Sequence, residues 1–427
     1  MTPSPLSSDA SDVKLVAFYL PQFHPIEEND TWWGKGFTEW TNVTRGVPLF
    51  SGHYQPHRPA DLGYYDLRVR ATRLEQIRLA KTYGINAFCY HYYWFSGKRL
   101  LEKPLDDMLA DPKSDMPFCL CWANENWTRR WNGGDDDILI EQQHLADDPS
   151  RFIHDLAPFL TDKRYLRVAG KPLLIVYRPQ LIPDIQSTAE RWRRECLDLG
   201  IGEIHLCAAL VFNNLDYHQF GFDSGVEFPP HNRNLLGVPY VHREMDFLGD
   251  FDGSAMCYHS LAVAYLKRDV SGQRVFRGVF PSWDNTSRIG NRALIFLNGT
   301  PGNYEAWLSR TVRKMREEQP AEYRLVFINA WNEWAEGCHL EPDERYGRSF
   351  LEATRRVKDG TSCLENFPDT GIELPGESGI TSFLGEAGAL LRKHVWVFFR
   401  WIRSRPHAIS LKIPGLVRLL RRHRGAL

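Results

Sequence analysis

The most regular feature of the chain is an alternation of short apolar runs with longer stretches of mixed polarity. Continuous apolar runs are typical of parallel strands that helices cover on both faces, whereas strands with one solvated face alternate apolar and polar residues. The pattern predicts eight strands, at Lys14–Leu20, Ala87–Tyr92, Phe118–Trp122, Leu173–Tyr177, His205–Val211, Ser224–Phe228, Val275–Phe280 and Leu325–Trp331.

Between these runs, apolar residues recur at helical spacing. In the first such stretch they fall at positions 67, 74, 77, 79 and 80, with arginines on the other side, which predicts an amphipathic helix. Gly84 follows it and suits the left-handed position at which many helices end. The predicted helices are Leu67–Thr82, Leu101–Ala110, Pro149–Leu160, Ser187–Leu199, His259–Arg268, Asn303–Glu317 and Tyr346–Val357.

Eight alternations of strand and helix predict an α/β protein built as a (β/α)8 (TIM) barrel. The alternative is an open doubly wound sheet. That fold usually carries a glycine-rich phosphate loop after its first strand, where this chain has the segment Tyr19–Pro25 instead. The barrel requires long insertions between strands 1 and 2 and between strands 6 and 7.

The ends of the chain differ from the barrel region, 13–358. Residues 1–12 are predicted to be disordered, and residues 359–387, rich in Gly, Pro, Ser and Thr, form a predicted linker. Residues 388–427 carry ten Lys and Arg and no acidic residue, interleaved with aromatic and aliphatic residues. This basic amphipathic tail predicts a helix at an anionic membrane surface, or alternatively a helix packed on the barrel. No nucleic-acid-binding fold accompanies the charge, so no nucleic-acid partner is expected.

Location is predicted from three further features. The first ten residues lack a secretory signal, no apolar run is long enough to span a bilayer, and the eight cysteines are scattered without metal-type spacing. These features predict a cytoplasmic protein with buried thiols and no metal or cofactor, associated with the inner membrane only peripherally through its tail.

Polar and aromatic residues follow nearly every predicted strand. The carboxyl ends of barrel strands face one cavity, where amides and carboxylates can bind sugar hydroxyls and aromatic rings can pack on sugar faces. A single Trp or His at a strand end is more often core packing, so the prediction depends on their coincidence. The expected substrate-binding residues are Tyr19, Gln22, His24, Glu39, Trp40, His91, Tyr92, Trp94, Trp122, Asn124, Glu125, Asn126, Trp127, Tyr177, Glu227, Trp283, Trp331, Asn332 and Trp334.

Two carboxylates, Glu333 and Glu336, follow the last predicted strand and are the expected catalytic pair. Such pairs supply the acid and the base or nucleophile of glycosidic-bond chemistry. In a helical turn, residues three apart point the same way with Cβ atoms roughly 5–6 Å apart, which suits a retaining mechanism better than an inverting one. The alternative is a strand end with exposed charges beside core tryptophans.

Five separated motifs resemble the WbsX-type glycosyltransferase family, which is related to the endo-α-mannosidases of glycoside hydrolase family 99. The resemblance runs from about residue 13 to 358. The motifs are Phe18–Pro25, Gly36–Asn42, Tyr90–Phe95, Trp122–Thr128 and Trp331–Gly337.

This resemblance implies a (β/α)8 barrel, a metal-independent site and a role in bacterial surface polysaccharide or O-antigen metabolism. It also implies that Glu333 deprotonates the sugar 2-hydroxyl, which attacks C1 to give an epoxide-like intermediate, and that Glu336 is the general acid and then base. Ala335 stands where the mannosidases usually have His, so the resemblance implies no mannose specificity.

The leading hypothesis is therefore an enzyme that cleaves or transfers glycosidic bonds of an oligosaccharide or lipid-linked glycan. A nucleotide-sugar glycosyltransferase is the alternative, and it would need a diphosphate and metal site. The acidic run Gly133–Asp137 is the candidate for that site, although acidic, glycine-rich turns are more often solvated loops. A non-catalytic glycan-binding assembly factor is a third hypothesis.

Overall fold

Eight parallel strands form the interior of the molecule in a computed structural model, which describes residues 12–129, 134–241, 246–364 and 367–368. All of them were predicted from the apolar runs, with ends that differ by a few residues. We number them β1 (Lys14–Tyr19), β2 (Ala87–Phe95), β3 (Phe118–Trp122), β4 (Lys171–Val176), β5 (His205–Leu210), β6 (Ser224–Glu227), β7 (Val275–Val279) and β8 (Leu325–Ile328).

The sheet closes on itself. Each strand pairs in parallel with its neighbour in sequence, and β1 pairs with both β2, at Phe18↔Cys89, and β8, at Leu15↔Val326. An open doubly wound sheet would leave two edge strands. The predicted (β/α)8 barrel is therefore confirmed.

Helices connect most of the strands. Between β5 and β6 the described connection has only the 3₁₀ turn His218–Phe220. The helices of the barrel layer are α1 (Arg70–Thr82), α2 (Lys103–Ala110), α3 (Asp148–Leu160), α4 (Ile185–Asp198), α5 (Tyr258–Lys267), α6 (Pro301–Glu318) and α7 (Ser349–Lys358). None of the described helices is long and apolar enough to cross a bilayer.

Short elements fill the loops that follow the strands. Both predicted long insertions are present, and a bridge between Phe50 and Phe247 links them. The short helices are Glu27–Trp33, Glu39–Val43 and Thr286–Ile289, and the further 3₁₀ turns are Pro179–Leu181, Gly290–Arg292, Ala321–Tyr323 and Trp334–Glu336. The short strands pair as Trp127–Arg129 with Gly134–Ile140, Ser254–Cys257 with Leu294–Leu297, Asn332–Glu333 with Cys338–His339, Lys98–Leu100 with β2 and Arg167–Val168 with β4.

The predicted linker and tail lie almost wholly outside the described residues, so the tail's membrane interface stays a prediction. Of the predicted N-terminal segment, Asp12 is described, and its carboxylate forms ion pairs with Arg316 and Arg324.

Candidate active site

A cleft of about 950 Å³ opens at the carboxyl ends of the barrel strands. The Phe228 ring lines the cleft, and its centroid lies 4.4 Å from that of Phe18, which in turn lies 5.4 Å from that of Phe327. Every barrel strand contributes to the wall near or beyond its carboxyl end, through Leu20, Tyr93, Ala123, Tyr177, Phe212, Phe228, Trp283 and Asn329 in strand order.

Glu333 and Glu336 reach this cleft from a tight hairpin after β8. Glu333 ends one short strand, Glu336 ends the 3₁₀ turn, and Gly337 begins the return with φ 57°. A Cβ atom at Gly337 would lie 3.0–3.1 Å from backbone atoms of Asp284, so glycine is needed there for its conformation and for space. The buried Asn332 amide fixes the hairpin to β1, because it donates to the Leu20 carbonyl and accepts from the Leu20 N–H.

Arg288 joins the two glutamates. Its Nη2 lies 2.9 Å from Glu333 Oε1, and its Nη1 lies 2.8 Å from Glu336 Oε1. A third carboxylate, Glu39 from the first insertion, accepts from Arg288 Nε at 3.0 Å and also contacts Nη2. One guanidinium therefore holds both candidate catalytic carboxylates in the wall of the cleft.

Asp284 positions the short helix that carries Arg288. Its carboxylate accepts from the Thr286 N–H and hydroxyl, and its Oδ2 lies 2.5 Å from His53 Nε2. Its own N–H donates to the Glu336 carbonyl at 2.7 Å. Because the same residue contacts both loops, the position of Arg288 is tied to that of Glu336.

Burial and the Arg288 guanidinium shift the pKa values of Glu333 and Glu336 in opposite directions. Burial raises the pKa of Glu333 well above its ordinary value and raises that of Glu336, while the guanidinium lowers both. Glu39 adds a negative charge that raises both again. Carboxyls tuned upward in this way are suited to exchange protons near neutral pH.

The wall beside Glu333 is formed by β2 and the end of β1. Gln22 Nε2 donates to the Tyr93 hydroxyl at 2.6 Å, and Gln22 Oε1 is buried with no hydrogen-bond partner among the described residues. His91 lies two residues before Tyr93, on the same face of β2. Its burial next to Arg288 lowers the pKa of the imidazole to about 4. The wall thus offers a neutral imidazole and an unused amide oxygen.

The wall beside Glu336 is formed by β3, β4 and β6. The Tyr177 hydroxyl lies 2.9 Å from His231 Nε2, and the Arg178 guanidinium donates to Glu125 at 2.6 Å. Asn124 fixes this turn, because its amide exchanges two hydrogen bonds with the Arg178 backbone. This wall therefore carries both charged and hydroxyl-bearing groups.

Comparison with known families identifies this architecture. The family model described as glycosyltransferase WbsX matches residues 15–354. The chain belongs to the WbsX glycosyltransferase family. This confirms the family predicted from the five motifs.

Curated relatives of this WbsX family member come from Xanthomonas campestris pv. campestris. The proteins named WxcX of two strains, both described as uncharacterized, are 49% identical over 361 residues. The match covers 84% of this chain and 51% of WxcX, so the chain spans about half the length of the curated relatives it matches.

Solved structures with the same fold include a glycoside hydrolase-like protein, with a TM-score of 0.52 and 15% identity over 83% of this chain and 96% of that one. At this identity the likeness is one of fold. A family 99 endo-α-mannosidase from Bacteroides thetaiotaomicron aligns with a TM-score of 0.47 and 13% identity, over 83% of this chain and 98% of the mannosidase.

The structure brings about half of the predicted site residues of the WbsX family member to the cleft. Trp283 is one of them, and its indole Nε1 is buried with no hydrogen-bond partner among the described residues. The predicted residues that line the cleft are Gln22, Glu39, His91, Asn124, Glu125, Asn126, Trp127, Tyr177, Trp283, Glu333 and Glu336.

Three predicted aromatic residues face the helices instead. Tyr92, Trp94 and Trp122 are buried outside the cleft, where Trp94 Nε1 donates to Asp155 and Trp122 packs on Phe152 at 4.4 Å. Successive side chains of a strand point to opposite faces. Since His91 and Tyr93 point into the barrel, Tyr92 and Trp94 point outward, and Tyr93 takes the place that the sequence analysis gave to Tyr92.

A second group of predicted residues lies beneath the cleft wall. Trp334 donates to Glu341, Trp40 donates to the Tyr65 carbonyl, and the Tyr19 hydroxyl donates to Gln76. These side chains, with Asn332, support the hairpin that carries Glu333 and Glu336 and do not line the cleft. His24 and Trp331 are likewise buried outside it.

Glu227 is a structural anion. It is 1% exposed, and its carboxylate contacts Arg268 at 3.0 Å and Arg277 at 3.3 Å. Glu227 was predicted to bind substrate, but it lies outside the cleft, in a buried ion-pair network between β6 and β7.

Two places bear on metal binding. Ligand atoms of the buried residues His57, His339 and Asp343 lie within 4.8 Å of one another, and none of the three lines the cleft. His57 Nδ1 and His339 Nε2 lie 2.9 Å apart, so an ion there would replace their hydrogen bond. For the candidate diphosphate run Gly133–Asp137, Gly133 and the side chains of residues 134–136 lie outside the described part of the chain.

Sequence reasoning missed several residues of the cleft. Arg288 is the most important, and its signal was its place after the predicted loop segment Trp283–Asn285. Phe212, His231 and Arg233 follow β5 and β6 and also line the wall. Phe212 directly follows the predicted strand His205–Val211, whereas His231 and Arg233 lie further along the loop after β6.

Proposed function

We propose that this protein cleaves or transfers glycosidic bonds with retention of configuration, using Glu333 and Glu336, during bacterial surface polysaccharide or O-antigen metabolism. The family and the fold indicate a carbohydrate-active enzyme. The observation that carries the finer proposal is the contact of one guanidinium with both carboxylates in the wall of a polar, aromatic-lined cleft.

In the first step, Glu336 donates its proton to the glycosidic oxygen while Glu333 takes the proton of the sugar 2-hydroxyl. The 2-oxygen attacks C1, the bond from C1 to the leaving oxygen breaks, and an epoxide-like intermediate forms. In the second step, Glu336 takes a proton from water or an acceptor hydroxyl, which attacks C1. Glu333 then returns its proton to the 2-oxygen.

Arg288 suits this sequence because the negative charge moves from Glu333 to Glu336 in the first step and returns in the second. The guanidinium contacts both carboxylates, so the charge remains next to a cation throughout. A fixed charge that needs no reorganisation is an efficient way to stabilise a transition state.

The test is a panel of free and lipid-linked oligosaccharides, with products followed by mass and by anomeric NMR. Glu333→Gln and Glu336→Gln are each expected to lower kcat about 10²–10⁴-fold, the usual contribution of a general acid or base. Glu344→Gln is the matched control, because Glu344 is exposed on the same segment. Substrates methylated at the 2-oxygen are expected to be inert. Undiminished turnover by Glu336→Gln would contradict the proposed acid.

The alternative is a nucleotide-sugar-dependent glycosyltransferase, which the description of the family model favours. It predicts tight binding of a UDP- or GDP-sugar that requires a divalent cation, with product formed only when that sugar is supplied. Glycan binding without turnover, unchanged in Glu333→Gln, would instead favour a non-catalytic assembly factor.

A further inference from the structure

Some charged side chains that line the cleft have no oppositely charged partner among the described residues. Among the described residues four carboxylates line it, of which Glu39, Glu333 and Glu336 contact Arg288, and Glu125 contacts Arg178. Two further arginines also line the cleft. Neither Arg233 nor Arg292 has a carboxylate within 4.0 Å among the described residues.

Arg233 is the more unusual of the two because it is half-buried. Its Nε is buried with no hydrogen-bond partner among the described residues, and burial lowers the pKa of its guanidinium. Removing an unpaired charge from water is unfavourable, so proteins usually pair such a group or use it to bind a ligand.

The surroundings place Arg233 on the Glu336 side of the cleft. Two residues before it, His231 contacts the Tyr177 hydroxyl at 2.9 Å. Tyr177 in turn lies close enough to Glu336 for that carboxylate to raise the pKa of its hydroxyl. His231 is held neutral, with a pKa lowered to about 3 by burial and by the charges of Arg233 and Arg178.

Phe212 completes this corner. Its φ of 51° is in the left-handed region, which a bulky residue rarely adopts and which recurs at functional sites. The ring lies 5.0 Å from the His231 ring and 4.2 Å from the Arg178 guanidinium carbon. The turn thus presents an aromatic face beside the Arg178 guanidinium and the neutral His231 ring, two residues before Arg233.

We propose that Arg233, together with Arg178 and the Phe212 ring, forms an anion-binding subsite for a negatively charged group on the glycan, a carboxylate or a phosphate. The inference rests on the proposed function and narrows its substrate class to acidic glycans. Because Glu336 is the proposed donor to the leaving oxygen, the anionic group belongs to the part of the substrate next to that oxygen.

The test measures binding to the full chain by saturation-transfer NMR and competition. The probes are three matched pairs, glucose with glucuronate, galactose with galacturonate and mannose with mannuronate, and the phosphates glucose 1-phosphate and UDP. We expect the acidic member of at least one pair, or a phosphate, to bind at least ten-fold more tightly than the neutral sugar. Raising NaCl should reduce this preference, since the interaction is between charges.

Arg233→Gln should abolish the preference, and Arg233→Lys should retain part of it. Arg194→Gln, on the exposed face of α4, should have no effect. Loss of phosphate binding alone in Arg233→Gln would identify phosphate as the anion, and loss of uronate binding alone would identify a carboxylate. Equal binding of acidic and neutral probes, or a preference that survives Arg233→Gln, overturns the subsite.

The proposed reaction and the proposed anion-binding subsite can be contradicted independently of each other. If Glu333→Gln and Glu336→Gln abolish turnover but no probe shows an acid preference, the proposed function stands and the subsite is wrong. If the acid preference depends on Arg233 but no glycosidic bond is cleaved or formed, the subsite stands and the proposed reaction is wrong.

Discussion

Glu39 holds the Arg288 guanidinium by two of its nitrogens, Nε at 3.0 Å and Nη2 at 2.9 Å. Only 2% of Glu39 is exposed. The remaining contacts of the guanidinium that we describe are to Glu333 and Glu336. Glu39 therefore orients the cation that contacts both proposed catalytic carboxylates, and we regard it as a positioning residue.

Glu39→Gln should lower kcat about ten-fold with little change in KM, because the amide keeps the shape but no longer holds the guanidinium by charge. Removing its negative charge should also lower the pKa of Glu333 and Glu336 and move the pH–rate profile to lower pH. The measurement is kcat across pH. Glu28→Gln, at a surface pair with Lys98, is the control. A profile that keeps its position would contradict the positioning role.

Arg288→Gln should shift the profile in the opposite direction. The guanidinium lowers the pKa of both carboxyls, so its removal should raise both and move the profile to higher pH, with a large loss of kcat. Arg288→Lys keeps a charge but not the fork of donors, and should lie between the wild type and Arg288→Gln. Shifts of the same sign in Arg288→Gln and Glu39→Gln would be incompatible with the shared ion-pair network.

Glu341 should make stability depend on pH. Burial raises its pKa to about 7 in the folded protein, against an ordinary value of 4.5. A raised carboxyl pKa favours the folded state at low pH, so this contribution is full below pH 4.5 and is lost as pH rises through about 7.

Glu341→Gln removes this titration and should therefore flatten the pH dependence. The wild type should lose roughly 3 kcal/mol more unfolding free energy between low and neutral pH than the variant, from the size of the pKa difference. Urea unfolding at pH 5 and pH 8 measures both. Parallel losses in the two proteins would show that Glu341 is ionised throughout.

Glu227→Gln separates stability from catalysis. The substitution leaves buried Arg277 with a weaker partner on β6, although Arg277 still contacts Glu318 at 2.7 Å. Breaking such a pair should lower the unfolding free energy by about 3 kcal/mol. Activity per folded molecule, with the folded fraction measured by circular dichroism, should be unchanged. A raised KM would instead indicate that Glu227 contacts the substrate.

The barrel was predictable because its signals are local. Continuous apolar runs identify strands such as Leu325–Ile328, and strands covered on both faces need helices on the outside. The two carboxylates could be found for the same reason, since they directly follow a strand and all strand ends meet at one face.

The residues that line the cleft were less predictable. Whether a residue lines it depends on the direction in which its side chain points and on contacts between residues far apart in sequence. In the run His91–Trp94 every residue is polar or aromatic, and composition alone does not show which residues face inward. In the structure, the pleat of the strand directs the Tyr93 side chain into the barrel and the Tyr92 side chain outward. Arg288 pairs with Glu39 across 249 residues, and no local pattern indicates such a contact.

The closure of β1 on β8 has a consequence for the order in which the protein is made. Leu20 and Asn332 exchange hydrogen bonds across 312 residues of sequence. On the ribosome, Glu39 emerges while Arg288 and the catalytic hairpin are still to be synthesised. A nascent or prematurely released chain that lacks the last strand has neither of the two proposed catalytic carboxylates, so the proposed reaction requires the complete barrel.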